Sequence, residues 1–194
     1  MLALLDANVL FSIVLTDVLL SAADEGIFVP LWTERILDEA ERGITERWAR
    51  RGRLDPPPLR ARFVRMREAF TDAMIEPYEY EDLIPRMLND EKDRHVLAAA
   101  VAYRVDAVVT GNVRHFPHHA LAGQPVGEIA TPDAFLCKLH RADPSRLGFA
   151  IDRLLARKRR PAMTLDDLLG RLEASGASAF ANRLGAATHG RGPG

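Results

Sequence analysis

Cysteine is almost missing from this chain. Cys137 stands alone among 194 residues. That excludes an intrachain disulfide and any cage of thiolate metal ligands, and it fits a reducing compartment. Long apolar runs are missing too, since none approaches the ~18 residues that a transmembrane helix requires. No basic region precedes Leu2, and Asp6 interrupts the one stretch that resembles the apolar part of a secretion signal. A soluble cytoplasmic protein is therefore expected, with no membrane partner. A surplus of charge is lacking as well: 26 Lys and Arg face 27 Asp and Glu, for a net charge of −1 and a pI near 6.6. The molecule as a whole exerts no pull on nucleic acid or anionic lipid, so any basic surface must be local. There is no internal repeat.

What is present suits one globular domain with a full core and a small appendage, at 47% hydrophobic and 27% charged residues. Leu2–Leu5 is apolar without alternation, as in strands covered on both faces of a parallel sheet. A helix is expected over Asp17–Glu25, ended by Gly26, and a strand over Ile27–Pro30. Thr33 can cap a helix reaching about Trp48, with Ile36, Leu37, Ala40 and Ile44 as its apolar stripe. Pro56-Pro57-Pro58 marks a break. Leu59–Ala73 reads as a helix studded with arginine and Ile75–Tyr80 as a strand. Pro85 limits Glu81–Leu88 to a short helix. Asp90–Val105 is the clearest helix. Strands follow at Ala107–Thr110 and Ile129–Thr131, and Pro132 opens a helix through Leu139. Strands alternating with helices predict an α/β fold with a mainly parallel sheet, whose strand C-termini share one edge. Beyond about Ala142 the character changes. Pro144–Arg160 is a basic amphipathic helix, Thr164 and Asp167 resemble a capping box, and Met163 can staple onto Leu168. Residues 185–194 are Gly-rich and read as a disordered tail. The expected division is 1–140, 141–184 and that tail.

The acids sit at telling places. Asp6 ends the first apolar strand, and a carboxylate there is costly unless something pairs with it. Val96, Leu97 and Ala100 follow Asp93 at i+3, i+4 and i+7, so Asp93 leads the apolar face of its helix. It is either a ligand or an N-terminal acid favoured by the helix dipole, with Asp90 as the N-cap. Glu39 and Glu41 both border their helix's apolar stripe, and periodicity does not choose between them. Asn8 is either a turn residue or a group that orients a carboxylate or water. Thr110 and Asn112 are small polar groups at a strand end, where Gly111 lets the chain turn. Carboxylates converging from distant parts of a chain point to a divalent metal.

Four stretches carry a family resemblance: Leu4-Leu5-Asp6-Ala7-Asn8-Val9-Leu10, Ile36-Leu37-Asp38-Glu39, Asp93-Arg94-His95-Val96-Leu97-Ala98-Ala99-Ala100, and Val109-Thr110-Gly111-Asn112-Val113-Arg114-His115-Phe116-Pro117. In this order they resemble the PIN-domain family over roughly residues 1–140, and more narrowly the VapC-type toxins of toxin–antitoxin pairs. The resemblance implies a PIN-like fold, with a mainly parallel sheet of about five strands between helices, followed here by C-terminal helices. It implies a Mg²⁺- or Mn²⁺-dependent endoribonuclease, an antitoxin partner and a homodimer. The family's acidic positions fall on Asp6, Glu39 and Asp93, which would hold the metal. The fourth falls on Asn112, where an oxygen ligand remains but a charge is lost. Thr110, Asn8 and Arg114 are auxiliary positions on the substrate side. Many relatives also carry Asp where His115 stands. The helical segment after residue 142 lies outside the core PIN pattern and resembles an extra module of some VapC-like proteins.

Other readings are weaker. A phosphatase of the haloacid-dehalogenase type also opens on an apolar strand ending in Asp, but it needs a second acid where this chain has Asn8. His115, His118 and His119 lie on an irregular stretch that lacks the four closed ligands of a zinc site. With Arg114 they suit contacts to an RNA backbone at a cleft rim. The arginines of 47–67 and 153–160 read chiefly as solvated helix faces, some of which can position phosphates. Cys137 reads as a core residue. A PIN module that binds RNA or protein without cutting is the non-enzyme alternative, kept open by Asn112.

Overall fold

A computed structural model of the chain describes residues 1–52, 59–159 and 161–189. The triple proline at 56–58 lies outside them. The elements in order are β1 (Leu2–Leu5), α1 (Ala7–Leu10), α2 (Ile13–Asp24), β2 (Val29–Thr33), α3 (Glu34–Arg50), α4 (Leu59–Ala69), β3 (Met74–Ile75), α5 (Pro77–Tyr80), α6 (Arg94–Ala102), β4 (Ala107–Val109), α7 (His118–Leu121), β5 (Glu128–Ala130), α8 (Pro132–Ala142), α9 (Pro144–Arg157), α10 (Leu165–Ala174) and α11 (Ser178–His189). Five strands form one sheet in the order β3-β2-β1-β4-β5. The β1–β2, β1–β4 and β2–β3 ladders are parallel. This is the α/β architecture expected, and unalternated β1 sits at its centre with Ala3, Leu4 and Leu5 fully buried.

Local chemistry explains where the elements depart from expectation. The second strand starts at Val29 rather than Ile27 and continues through Trp32 and Thr33. Pro30 is tolerated inside it because Val29 N donates to Met1 O at 2.9 Å, so the next amide position faces away from β1. There β3 pairs only with Trp32 and Thr33, and no donor is needed at Pro30. The expected strand Ile75–Tyr80 is cut to Met74–Ile75. Pro77 at the first helical position starts α5 instead, and Glu79 accepts from the Glu76 backbone N–H at 2.8 Å. Glu81–Arg86 forms only a 3-10 turn around Pro85. The arginine-rich helix ends at Ala69, short of Ala73.

The chain divides into two compact units. The first comprises residues 1–11 and 29–129, and the second residues 12–28 and 130–194. In this grouping α2 goes with the C-terminal helices. In that second unit α9 packs against α2 and α8, and α11 against α8 and α10. Lys158 Nζ lies 2.6 Å from Asp17, Arg157 lies 3.4 Å from Asp24, and Arg153 bonds to Glu25. The core of the unit includes the edge-to-face pair Phe28 and Phe135, at 5.2 Å between centroids, and buried Phe180. Helix α9 stops at Arg157, not Arg160. Arg159 instead bridges to Ala162 across a tight reversal. Helix α11 runs to His189, so residues 185–189 of the expected tail are helical. Cys137 is buried, as anticipated.

Candidate active site

The first unit builds its polar centre at the C-terminal ends of β1 and β4. Leu5 is in register with Val109, so the next residues, Asp6 and Thr110, meet side by side. Asp6 N donates to Val109 O at 3.0 Å. Thr110 Oγ1 then donates to Asp6 Oδ2 at 2.7 Å. Asp6 Oδ1 accepts from Ala7 N at 2.7 Å and so caps α1. Asn8, the second residue of α1, closes the arrangement. Its Nδ2 donates to Asp6 Oδ2 and to Thr110 Oγ1, and its Oδ1 accepts from Gly111 N at 2.7 Å. Asn8 is thus a helical residue and not a turn residue, and its side chain ties the ends of β1 and β4 together. A Cβ at Gly111 would stand 3.1 Å from Asn8 Oδ1, so a larger residue there would press on the side chain that holds the group together.

The other acids arrive from helices. Asp90 caps the turn before α6, accepting from Lys92 N at 3.1 Å. Asp93 is the N-cap of α6 by position, but its side chain makes no cap hydrogen bond. It turns to His115, whose Nδ1 lies 2.6 Å from Asp93 Oδ2. Asp90, Asp93 and His115 each offer a ligand atom, all within 4.8 Å of one another. Glu39, on α3, is flanked by Arg35 Nε at 3.3 Å and His95 Nε2 at 3.3 Å. Thr33 anchors that helix, accepting from Ile36 N at 3.1 Å.

Electrostatics ties these groups together. Burial raises the Asp6 carboxyl above the usual range. The Asp93 charge pushes the same way, and the Thr110 and Ala7 hydrogen bonds oppose it only in part. Burial also acts to raise Glu39, but His95 and Arg35 together outweigh it, and Glu39 is lowered. His95 influences both Asp6 and Glu39. Its ring is 1% exposed, and among the described residues neither ring nitrogen has an aligned hydrogen-bond partner. Its approach to Glu39 is one of proximity.

Of the residues picked out by sequence, Asp6, Asn8 and Thr110 form one bonded group. Asp93 and Glu39 are coupled to Asp6 through charge and through His95. Among the described residues no hydrogen bond links the side chain of Asn112 or of Arg114 to any acid. Two histidines were not picked out as partners of the acids. His115 was grouped with His118 and His119, whereas it pairs with Asp93. His95 hides in an apolar run. The signal was available: a lone imidazole two residues after an acid, on a helix buried all round.

An all-oxygen set of ionised groups suits a hard divalent cation. Asp6 and Asp93 offer such oxygens, and a cation beside them would offset the Asp93 charge that pushes up the Asp6 carboxyl, while the ligand atoms that already lie together are those of Asp90, Asp93 and His115.

Comparison with known proteins agrees with this geometry. The sequence model of the PIN domain matches residues 3–114, and that of the VapC50 C-terminal domain matches residues 132–186. A Mycobacterium tuberculosis protein named "Putative ribonuclease VapC50" is 49% identical over 59 residues, 30% of this chain and 34% of the relative. The match thus spans about a third of that relative's length. No solved structure matches.

Proposed function

The chain belongs to the PIN-domain family, and from that membership we propose that it is a metal-dependent endoribonuclease acting as the toxin of a toxin–antitoxin pair. The observation that carries the proposal is Asp6. It is a carboxylate 3% exposed at a strand tip, destabilised by a second acid and gathered with a third around one buried imidazole. Its cap on α1 and its bond from Thr110 offset the cost of that burial only in part.

In this reading Asp6, Glu39 and Asp93 hold Mg²⁺ or Mn²⁺. When bound, the cation neutralises phosphate charge and makes a water acidic enough to attack. Thr110 and Asn8 fix the Asp6 oxygens. Arg35 and His95 keep Glu39 ionised. His115 aims Asp93. Asn112 orients substrate at the same strand edge, and Arg114, exposed beside it, meets the RNA backbone. The site of action is the cytoplasm, where a cognate antitoxin restrains the enzyme, and the working form is a homodimer. The relative's name and the VapC50 C-terminal match support the toxin reading.

A second reading is favoured by one observation, the Asn at position 112 without a bond to the acids. In it the protein is a PIN module that binds RNA or protein without cutting it. The deciding experiment incubates purified protein with cellular RNA and Mg²⁺ or Mn²⁺, beside lanes with EDTA and with Asp6→Asn. Discrete fragments that vanish in both controls are expected. Folded, antitoxin-free protein that cuts nothing would transfer the case to the binding module.

A further inference from the structure

Charge is divided unevenly between the two units. By sequence the helical unit carries eleven Lys and Arg against nine Asp and Glu, and the nuclease unit fifteen against eighteen. The unit with the acids therefore repels a polyanion on average, and the helical unit attracts one. The attraction has a focus. Where α9 ends, Arg157, Lys158 and Arg159 follow one another, and the chain reverses through the Arg159–Ala162 bridge. Arg171 reaches the same place from α10. These four cations line a concavity of about 520 Å³.

A bland explanation covers part of this. Cations favour the C-terminus of a helix, Arg157 pairs with Asp24, and Lys158 with Asp17. It covers Arg171 in part, as a cation in the last turn of α10 whose charge acts on Asp167, but not Arg159. Both are exposed, and among the described residues neither makes an ion pair. The Arg159 side chain bonds only to a backbone carbonyl, Ala156 O, at 3.2 Å. Two exposed planar guanidinium groups that make no ion pair among the described residues, in one lining with two further cations, suit phosphate oxygens.

We infer that this cleft, formed by the α9–α10 connection and Arg171, binds the phosphodiester backbone of single-stranded RNA. The rest of its lining chooses between RNA and an acidic protein. Pro161, Ala162 and Met163 offer a small apolar strip but no aromatic or deep pocket. A protein partner needs buried anchors of that kind, whereas contacts to the phosphate backbone need only placed positive charge. The choice of RNA as the polyanion rests on the ribonuclease reading, and the test separates the two.

The full-length protein in EDTA is titrated into labelled single-stranded RNA of mixed sequence, and fluorescence anisotropy is read at several salt concentrations. Each phosphate contact on a single strand contributes about 0.7 to the slope of log K against log salt. Arg159→Ala/Arg171→Ala should lower the slope by about 1.4 and weaken binding about tenfold at moderate salt. Arg159→Lys/Arg171→Lys should keep the slope. Both positions are exposed, and circular dichroism checks that the variants are folded. An unchanged slope in the alanine variant overturns the proposal. So does displacement of the RNA by polyglutamate at equal charge concentration, which would make the cleft a site for acidic protein. Cleavage is scored apart, in Mg²⁺. RNA that is bound through the two arginines but never cut would remove the ribonuclease reading and leave the cleft in place.

Discussion

At the scale of single residues, Asp6 sets function against stability. Its pKa is raised in the folded state, so the native protein holds that proton more tightly than the unfolded chain. The stability linked to this group is therefore greatest when it is protonated. It declines as pH rises from the unfolded value through the folded one. Asp6→Asn keeps an oxygen to cap α1 and removes the buried charge. It should raise Tm at pH 7 by roughly 2–4 °C, the shift for about 1 kcal/mol in a chain of this size, while RNA cleavage is lost. The gain should shrink as the pH of the melting experiment is lowered through that window. Added Mg²⁺ should stabilise the wild type and not the variant. A variant less stable than wild type at pH 7 would refute this account. Asp6 and Asp93 were legible in sequence because each stands at the junction of an apolar element and a turn. Their imidazole partners were not. Nothing in one sequence says that His115 folds back onto Asp93 rather than joining His118 and His119.

At the scale of elements, helix ends were the readable features. Thr164 and Asp167 form the expected reciprocal cap: Thr164 Oγ1 accepts from Asp167 N at 3.1 Å, and Asp167 Oδ2 accepts from Thr164 N at 2.9 Å. Thr164→Ala should cost about 1 kcal/mol, measured by urea denaturation with an unchanged m-value. Thr33 before α3 and Thr131 before α8 also accept from the third helical amide, without the reciprocal acid. Strand limits were less readable. Pro30 and Pro77 look alike in sequence, yet one sits inside a strand and the other begins a helix, and only the neighbouring strand's length separates them. A tie between α5 and α6 was not visible at all. Tyr103 Oη donates to Glu79 Oε1 at 2.8 Å. Burial, with that carboxylate, pushes the phenol from 10.0 up to about 12. The folded state keeps the phenolic proton that the unfolded chain loses. The resulting stability is complete below pH 10 and disappears as pH rises towards 12. Tyr103→Phe should therefore flatten the alkaline limb of the Tm–pH profile relative to wild type, and identical limbs would count against the tie.

At the scale of the whole molecule, the strand order came only with the structure, but a mainly parallel sheet of about five strands was recoverable because covered strands leave apolar signatures. The boundary between units was not. Reading along the chain places a cut where composition changes, near residue 140. The structure instead assigns α2, a segment close to the N-terminus, to the helical unit. Periodicity can say that Leu15, Val18, Leu19 and Ala22 will be buried, but not that their partner lies beyond residue 143. A protein truncated after residue 140 should accordingly lose cooperative melting and self-associate, as seen by calorimetry and size-exclusion chromatography. A truncated protein that melts sharply as a monomer would show α2 to be satisfied without α9. The interleaving also has a consequence in time. During synthesis α2 leaves the ribosome long before α9 exists, and at about 5–20 residues per second the interval is on the order of ten seconds. For that interval the nascent chain displays an unfinished apolar helix, which chaperones and proteases can grip. A message truncated ahead of α9 then yields a polypeptide that is cleared, so only a translated second unit releases a lasting product.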